Sequence, residues 1–433
     1  MLCSMRKALK GREVAMKRYG MAIAVSAALA MGMFTGCGAA TTSASTASSS
    51  SSTVVATSSS STASTTTASL SSSGGVLDTT DMFTDRDMTQ EADTSSAKQL
   101  TVSDGQDITI SEEGVYVISG TASDVTITVN ADSSAKVQLV LDGLTVTNST
   151  KPVVYVASAD KVFVTTASGS TNSLTVTGTF AYSADEAADG VIFAKDDLVL
   201  NGLGSLTINS SDNGIVGKDD VKITGGTYSI TSSGHAIEGK DSVAIADGTF
   251  TLKSTTDGIH AENSDDPTLG YVYIAGGTFD ITAGSDGIEG ASVVQIDGGT
   301  VTMNSAEGIE GTYVQINGGK VDITANDDGI NATSKSTAYK VTLEINNGEV
   351  NVSMGSGDTD ALDSNGDLYI NGGIVNITAQ FAFDFDGTGK LNGGTVTVNG
   401  EQVTEITNSM MGGGGMGGMG GGNRQQGQQG MVR

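Results

Sequence analysis

The sequence predicts an all-β fold, a right-handed parallel β-helix with coils of about 21–24 residues. Two observations predict it: a ten-residue segment returns along the chain, and a shorter motif returns behind it at nearly constant spacing. The segment reads Val221-Lys-Ile-Thr-Gly-Gly-Thr-Tyr-Ser-Ile, then Val243-Ala-Ile-Ala-Asp-Gly-Thr-Phe-Thr-Leu, then Val272-Tyr-Ile-Ala-Gly-Gly-Thr-Phe-Asp-Ile. Further copies start at Val294, Val314, Leu368 and, shortened, Leu391. Each alternates apolar and other residues on both sides of a Gly-containing corner. Val272, Ile274, Phe279 and Ile281 are therefore expected inside, and Tyr273, Thr278, Asp280 and Thr282 outside.

The shorter motif is an acid or its substitute, then Gly or Ala, then an aliphatic residue. It begins at Asp189, Asn213, His235, Asp257, Asp286, Glu307, Asp328, Asp360 and, degenerately, Phe381. The separations are 24, 22, 22, 29, 21, 21, 32 and 21 residues, the two long ones holding insertions around Asn263–Gly270 and Thr333–Lys340. Three short strands per period of about 22 residues is the arithmetic of a parallel β-helix, and nine such coils make a rod on the order of 40 Å long. A β-sandwich has no fixed period, and a calcium-binding nonapeptide solenoid repeats far more often. Residues 107–180 also read as β and are expected to cap the N-terminal end, because an open end exposes strand edges.

Outside residues 98–407 the chain cannot build a core. Met16-Lys17-Arg18 looks like a true start, followed by an apolar run from Tyr19 to Met33 and then Phe34-Thr35-Gly36-Cys37. The run is short for a membrane span, which needs about 20 apolar residues. Residues 1–36 therefore read as a lipoprotein signal peptide, with Cys37 lipidated after cleavage. Residues 37–97 read as a Ser/Thr-rich flexible stalk, and 408–433, rich in Gly, Met and Gln, as a disordered tail. The expected location is the extracellular face of the cell membrane, with contact to the membrane through the lipid alone and the rod acting as a monomer.

Formal net charge is −27, and residues 1–36 carry six bases and one acid, so their removal leaves about −32. A surface of that sign repels nucleic acid and attracts cations. Residues one period apart stack in a solenoid, so the motif supplies a column of Asp257, Asp286, Glu307, Asp328 and Asp360. Three residues on comes a second column of Glu238, His260, Glu289, Glu310, Asn331, Asp363 and Asp384. Like charges opposite one another destabilise a sheet. Oxygen-rich, sulfur-free ligands on a rigid frame suit Ca²⁺, with Asp257, Asp286, Glu289, Glu307, Glu310, Asp328, Asp360 and Asp363 as candidate ligands. Strict alternation puts positions three apart on opposite faces, so both columns share a face only if the chain bends at the intervening Gly. The alternative is a solvated acidic face.

Lys195, Lys218 and Lys240, each followed by Asp, recur on consecutive coils. They suit the carboxylates of an acidic sugar chain, or else pair with neighbouring acids in a surface network of little energetic weight. Tyr273 and Tyr369 are candidates to stack on sugar rings.

In the tract Asp360-Ala-Leu-Asp-Ser-Asn-Gly-Asp-Leu-Tyr-Ile-Asn-Gly-Gly, with Asp257-Gly-Ile-His-Ala-Glu-Asn, the chain resembles the clostridial-type calcium-binding, polysaccharide-lyase-like carbohydrate-binding proteins. The resemblance spans about residues 101–407 and includes Gly114-Val-Tyr-Val-Ile-Ser-Gly and Val137-Gln-Leu-Val-Leu-Asp-Gly. It implies a parallel β-helix that binds plant cell-wall polysaccharide, pectic or cellulosic, with bound Ca²⁺ and no catalysis. Two other readings stay open: a pectate-lyase-like enzyme and a structural adhesin without sugar specificity. The lyase needs a base, commonly Arg or Lys. No arginine lies between Arg86 and Arg424, which leaves lysines that acidic neighbours hold protonated.

Overall fold

The computed structural model describes residues 75–185, 187–356 and 359–408. Cys37, most of the Ser/Thr run and the Gly-rich end lie outside the described residues. Among the described residues the regular elements are 34 β-strands in one hydrogen-bonded sheet. Pairing is parallel throughout except at the C-terminal end, where Thr395–Val398 meets Glu401–Val403 antiparallel.

The order of pairing is that of a solenoid. Ser242–Ile245 pairs with Tyr271–Ile274, Thr249–Ser254 with Thr278–Thr282, and Ile259–Ala261 with the start of Asp286–Ile296. Each strand therefore lies beside its own equivalent one coil on. Inward positions stack on themselves: Val243, Val272, Val294 and Val314 form one column in register. Tyr228, Phe250 and Phe279 form another, with ring centroids 5.3 and 4.5 Å apart. Each of these rings is buried, so the stack combines area burial with favourable ring contact.

The corner between the first and second strands repeats a glycine with positive φ, as at Gly277 (102°) and Gly299 (90°). At Gly299 a Cβ would lie 2.8 Å from Gly277 O, so both conformation and close approach demand glycine.

The folded part begins earlier than Lys98. Residues 75–90 run back along the outward face of the first strands. Val76 N donates to Gln315 Oε1 and Leu77 N to Gln295 Oε1, each at 2.9 Å. Lys222 Nζ donates to Met82 O at 2.6 Å, and Gly202 N to Gln90 Oε1 at 2.9 Å. Asp87 is fully buried, 3.1 Å from Lys161 Nζ. The outward column beneath this strap contains Val199, Ala244 and Tyr273, which need a cover. Tyr273 is thus not an exposed sugar platform. It is 2% exposed, packs near Phe83 and donates its hydroxyl to Asp297 Oδ2 at 3.0 Å.

Burial opposes ionisation of Asp87, but bonds from the Thr84 amide and the Lys161 ammonium outweigh it and hold the carboxyl below its ordinary range. A lowered folded-state pKa makes the strap's anchorage complete above the ordinary carboxylate value of about 4 and lost as pH falls through the lowered one. Hydrogen exchange at pH 7 should find residues 75–90 protected in the parent and opening roughly tenfold or more faster in Asp87→Asn. Protection around Val243 should not change. Equal protection of the strap in both proteins would show that Asp87 is not its anchor.

Candidate functional site

The acidic motif forms the corner between the second and third strands. Its second column is continuous in the register: Glu238, His260, Glu289, Glu310, Asn331, Asp363 and Asp384 are successive partners. The first column stacks through the backbone, with Gly258 N donating to Asp286 O, Gly308 N to Asp328 O and Gly329 N to Asp360 O at 2.9 to 3.0 Å. The glycine after each acid has no room for a side chain; a Cβ on Gly308 would lie 2.3 Å from Gly329 O and 2.6 Å from Ile323. The chain turns there, and both columns open on one side. Carboxylate oxygens of Asp257, Asp286 and Glu289 lie within 4.8 Å of one another, as do those of Asp286, Glu307 and Glu310.

The two insertions frame this cleft and touch each other, with Ser336 Oγ donating to Pro267 O at 2.5 Å. From the second insertion Lys335 reaches between two rungs, pairing with Glu289 at 2.5 Å and with Glu310. Those two expected metal ligands are thus bridged by a protein ammonium. Asp257 lies between His235 Nδ1 at 3.1 Å and His260 Nδ1 at 2.9 Å. Burial opposes its ionisation, but hydrogen bonds from the two imidazoles outweigh that and hold its pKa far below the usual range. The same contacts, with Glu289, overcome burial at His260 and raise it to about 10.

Further along the rod the neutralisation stops. Among the described residues no lysine, arginine or histidine lies at ion-pair distance from Asp328, Asp363 or Asp384. Burial, then the charges of Asp328, Asp384 and Asp360, push Asp363 up to about 7. Burial, then Glu310, pushes Glu307 up to about 7 although Asn331 Nδ2 donates to it. Asp286 and Asp328 are raised too, by burial first and like charges second. Asn331 Oδ1 sits in this stretch, shut off from solvent and accepting no hydrogen bond. A set of carboxylate oxygens with an idle amide oxygen among them is the donor chemistry of Ca²⁺. Asp286, Glu307, Asp328, Asp360 and Asp363 carry that donor chemistry on successive rungs, with Asp384 and Asn331 beside them; the oxygens that already converge within 4.8 Å are those of Asp286, Glu307 and Glu310.

The lysine series is already committed. Lys195 pairs with Asp185 at 2.6 Å, Lys218 with Glu238 at 2.8 Å and Lys240 with Asp265 at 2.5 Å. Tyr369 is half-buried and donates its hydroxyl to Asp367 Oδ2 at 2.9 Å.

Replacing Lys335 by Met leaves Glu289 and Glu310, each 11% exposed, facing each other without their ammonium. Discounted for the partial exposure of Lys335, the loss should be roughly 2 kcal/mol. Urea denaturation should register it, and adding Glu289→Gln to Lys335→Met should recover part. An unchanged midpoint would mean that Lys335 does not neutralise the column.

A family model described as carbohydrate-binding domain-containing protein matches residues 104–358 and 304–405. A carbohydrate-binding domain-containing protein of Acetivibrio thermocellus is 38% identical over 208 residues, 47% of this chain and 72% of that protein. A solved polysaccharide lyase-like protein from C. thermocellum, a gadolinium derivative, aligns with 29% identity and a TM-score of 0.46, covering 52% of this chain and 93% of that one. With the family model spanning the coils that carry both acidic columns, this chain belongs to the family of carbohydrate-binding domain-containing proteins.

Proposed function

We propose that the chain is a non-catalytic, Ca²⁺-dependent binder of plant cell-wall polysaccharide, displayed on the bacterial surface through Cys37. Its coils would wind to the right, as crossovers between parallel strands do. Membership of the carbohydrate-binding family across residues 104–405 carries the sugar reading. The calcium reading is supported by the acidic columns that continue past Lys335 through Asp328, Asp363 and Asp384, for which no lysine, arginine or histidine lies at ion-pair distance among the described residues.

A pectic polymer is itself an anion, and a chain of net charge −27 repels it. Ions held by the column would reverse that repulsion and offer open coordination positions to the polymer's carboxylates and hydroxyls. Cellulose is neutral and needs no such bridge. Chelation therefore separates the two substrates. The ion pairs of Lys195, Lys218 and Lys240 favour binding over a lyase, since an ammonium between carboxylates is a poor base.

Native electrophoresis of the purified protein through gels containing polygalacturonate or soluble cellulose derivatives tests the proposal. Retardation by polygalacturonate with Ca²⁺, lost with chelator and weakened in Asp328→Asn with Asp363→Asn, is the expected result. Saturating Ca²⁺ at a hundredfold over Kd should also add about 2.7 kcal/mol of stability to the parent and less to the double variant. Unchanged mobility in every gel would remove the carbohydrate reading. Chelator-insensitive retardation would remove calcium from it.

A further inference from the structure

The chain has two histidines, and the fold brings them together. His235 and His260, on successive coils, stack with ring centroids 4.3 Å apart. Both turn Nδ1 toward the same oxygen, Asp257 Oδ2, at 3.1 and 2.9 Å. Glu289 Oε2 lies 3.2 Å from His260 Nδ1.

The outer atoms of this group are already fixed. Asp257 Oδ1 accepts from Asp286 N at 3.0 Å, which leaves Oδ2 to the imidazoles. Glu289 Oε1 accepts from Lys335 Nζ at 2.5 Å, which leaves Oε2. The Asp257 amide also approaches His235 Nδ1, at 3.4 Å. The two Nδ1 atoms and the two remaining carboxylate oxygens thus lie close together, and the cation among them is either a proton or a metal ion. On the far side of the His260 ring, Nε2 lies 3.9 Å from the exposed Glu262 Oε2.

We propose that His235 Nδ1, His260 Nδ1, Asp257 Oδ2 and Glu289 Oε2 form a site for a divalent transition-metal ion of the zinc class. Two imidazole nitrogens and two carboxylate oxygens are a complete tetrahedral set for such an ion. Metal–donor distances of about 2.0–2.1 Å place tetrahedral donors roughly 3.3 Å apart, close to the 3.1, 2.9 and 3.2 Å of the His235–Asp257, His260–Asp257 and His260–Glu289 contacts. Calcium takes six to eight oxygens and is poorly served by imidazole. The site thus differs in chemistry from the oxygen-only stretch of the column, and it stands whether or not the chain binds carbohydrate.

The full chain, freed of metal with chelator, is titrated with Zn²⁺ and separately with Co²⁺ in the presence of millimolar Ca²⁺. The parent should bind one more ion tightly than His235→Ala does, with release of protons. Co²⁺ should give the visible absorption of a tetrahedral site in the parent and lose it in the variant. Affinity at this site should fall at least a hundredfold in His235→Ala, and Asp363→Asn should leave it unchanged. Because His260 is the more enclosed ring, His260→Asn serves as the second variant, its fold checked by circular dichroism. Equal Zn²⁺ stoichiometry and affinity in parent and His235→Ala would overturn the assignment, as would displacement of Zn²⁺ by Ca²⁺.

Discussion

Everything in this molecule follows from one constraint: each residue lies directly against its own counterpart in the next coil. Whatever chemistry a position has is therefore repeated along the rod at strand spacing. Apolar positions benefit, as the ring stack of Tyr228, Phe250 and Phe279 shows. Amides benefit too, because each carries a donor and an acceptor. Asn346 donates to Asn317, Asn371 to Asn346 and Asn392 to Asn371, at 2.7 to 2.8 Å. Carboxylates have acceptors alone, so a column of them cannot satisfy itself.

The acidic corner has to take its cations from elsewhere, and the chain supplies some. His260 replaces an acid in the second column, and Lys335 arrives from an insertion. Glycine makes this arrangement possible: by turning the chain between the two columns it puts acids three residues apart on one side. One residue type thus creates both the cleft and its electrostatic problem. The solution is local, since Lys335 reaches two rungs and no further.

The coil period, the inward set and both acidic columns were legible because in-register stacking turns sequence spacing directly into position. The shared face was legible as a condition, a bend at Gly, which the structure meets. Lys335 was hidden because an insertion has no counterpart in the period, so nothing in the repeat predicts where its side chain returns. The strap was hidden because Ser, Thr and Asp composition reads as stalk. Its trace lay on the partner surface, where Val199, Ala244 and Tyr273 occupy outward positions that should be polar. Tyr273 read as exposed because alternation reports which side of a strand a residue takes, not what covers that side.

These features distribute roles around the rod. The first strands' outward face is occupied by the strap over the coils from Lys161 to Gln315, and every described lysine proposed for sugar contact is held by an acid. The second strands still present a flat exposed face, with Thr249, Thr278 and Thr300 in register. The corner between second and third strands carries the cleft. A polymer laid along the rod would therefore contact hydroxyls on one side of that corner and carboxylates on the other. Hydroxyl contacts alone are weak in water, where each replaces an equally good bond to solvent. The carboxylate side is where bound ions would add strong, directional coordination, so affinity on this scaffold should be governed by the cations in the corner more than by the breadth of the flat face.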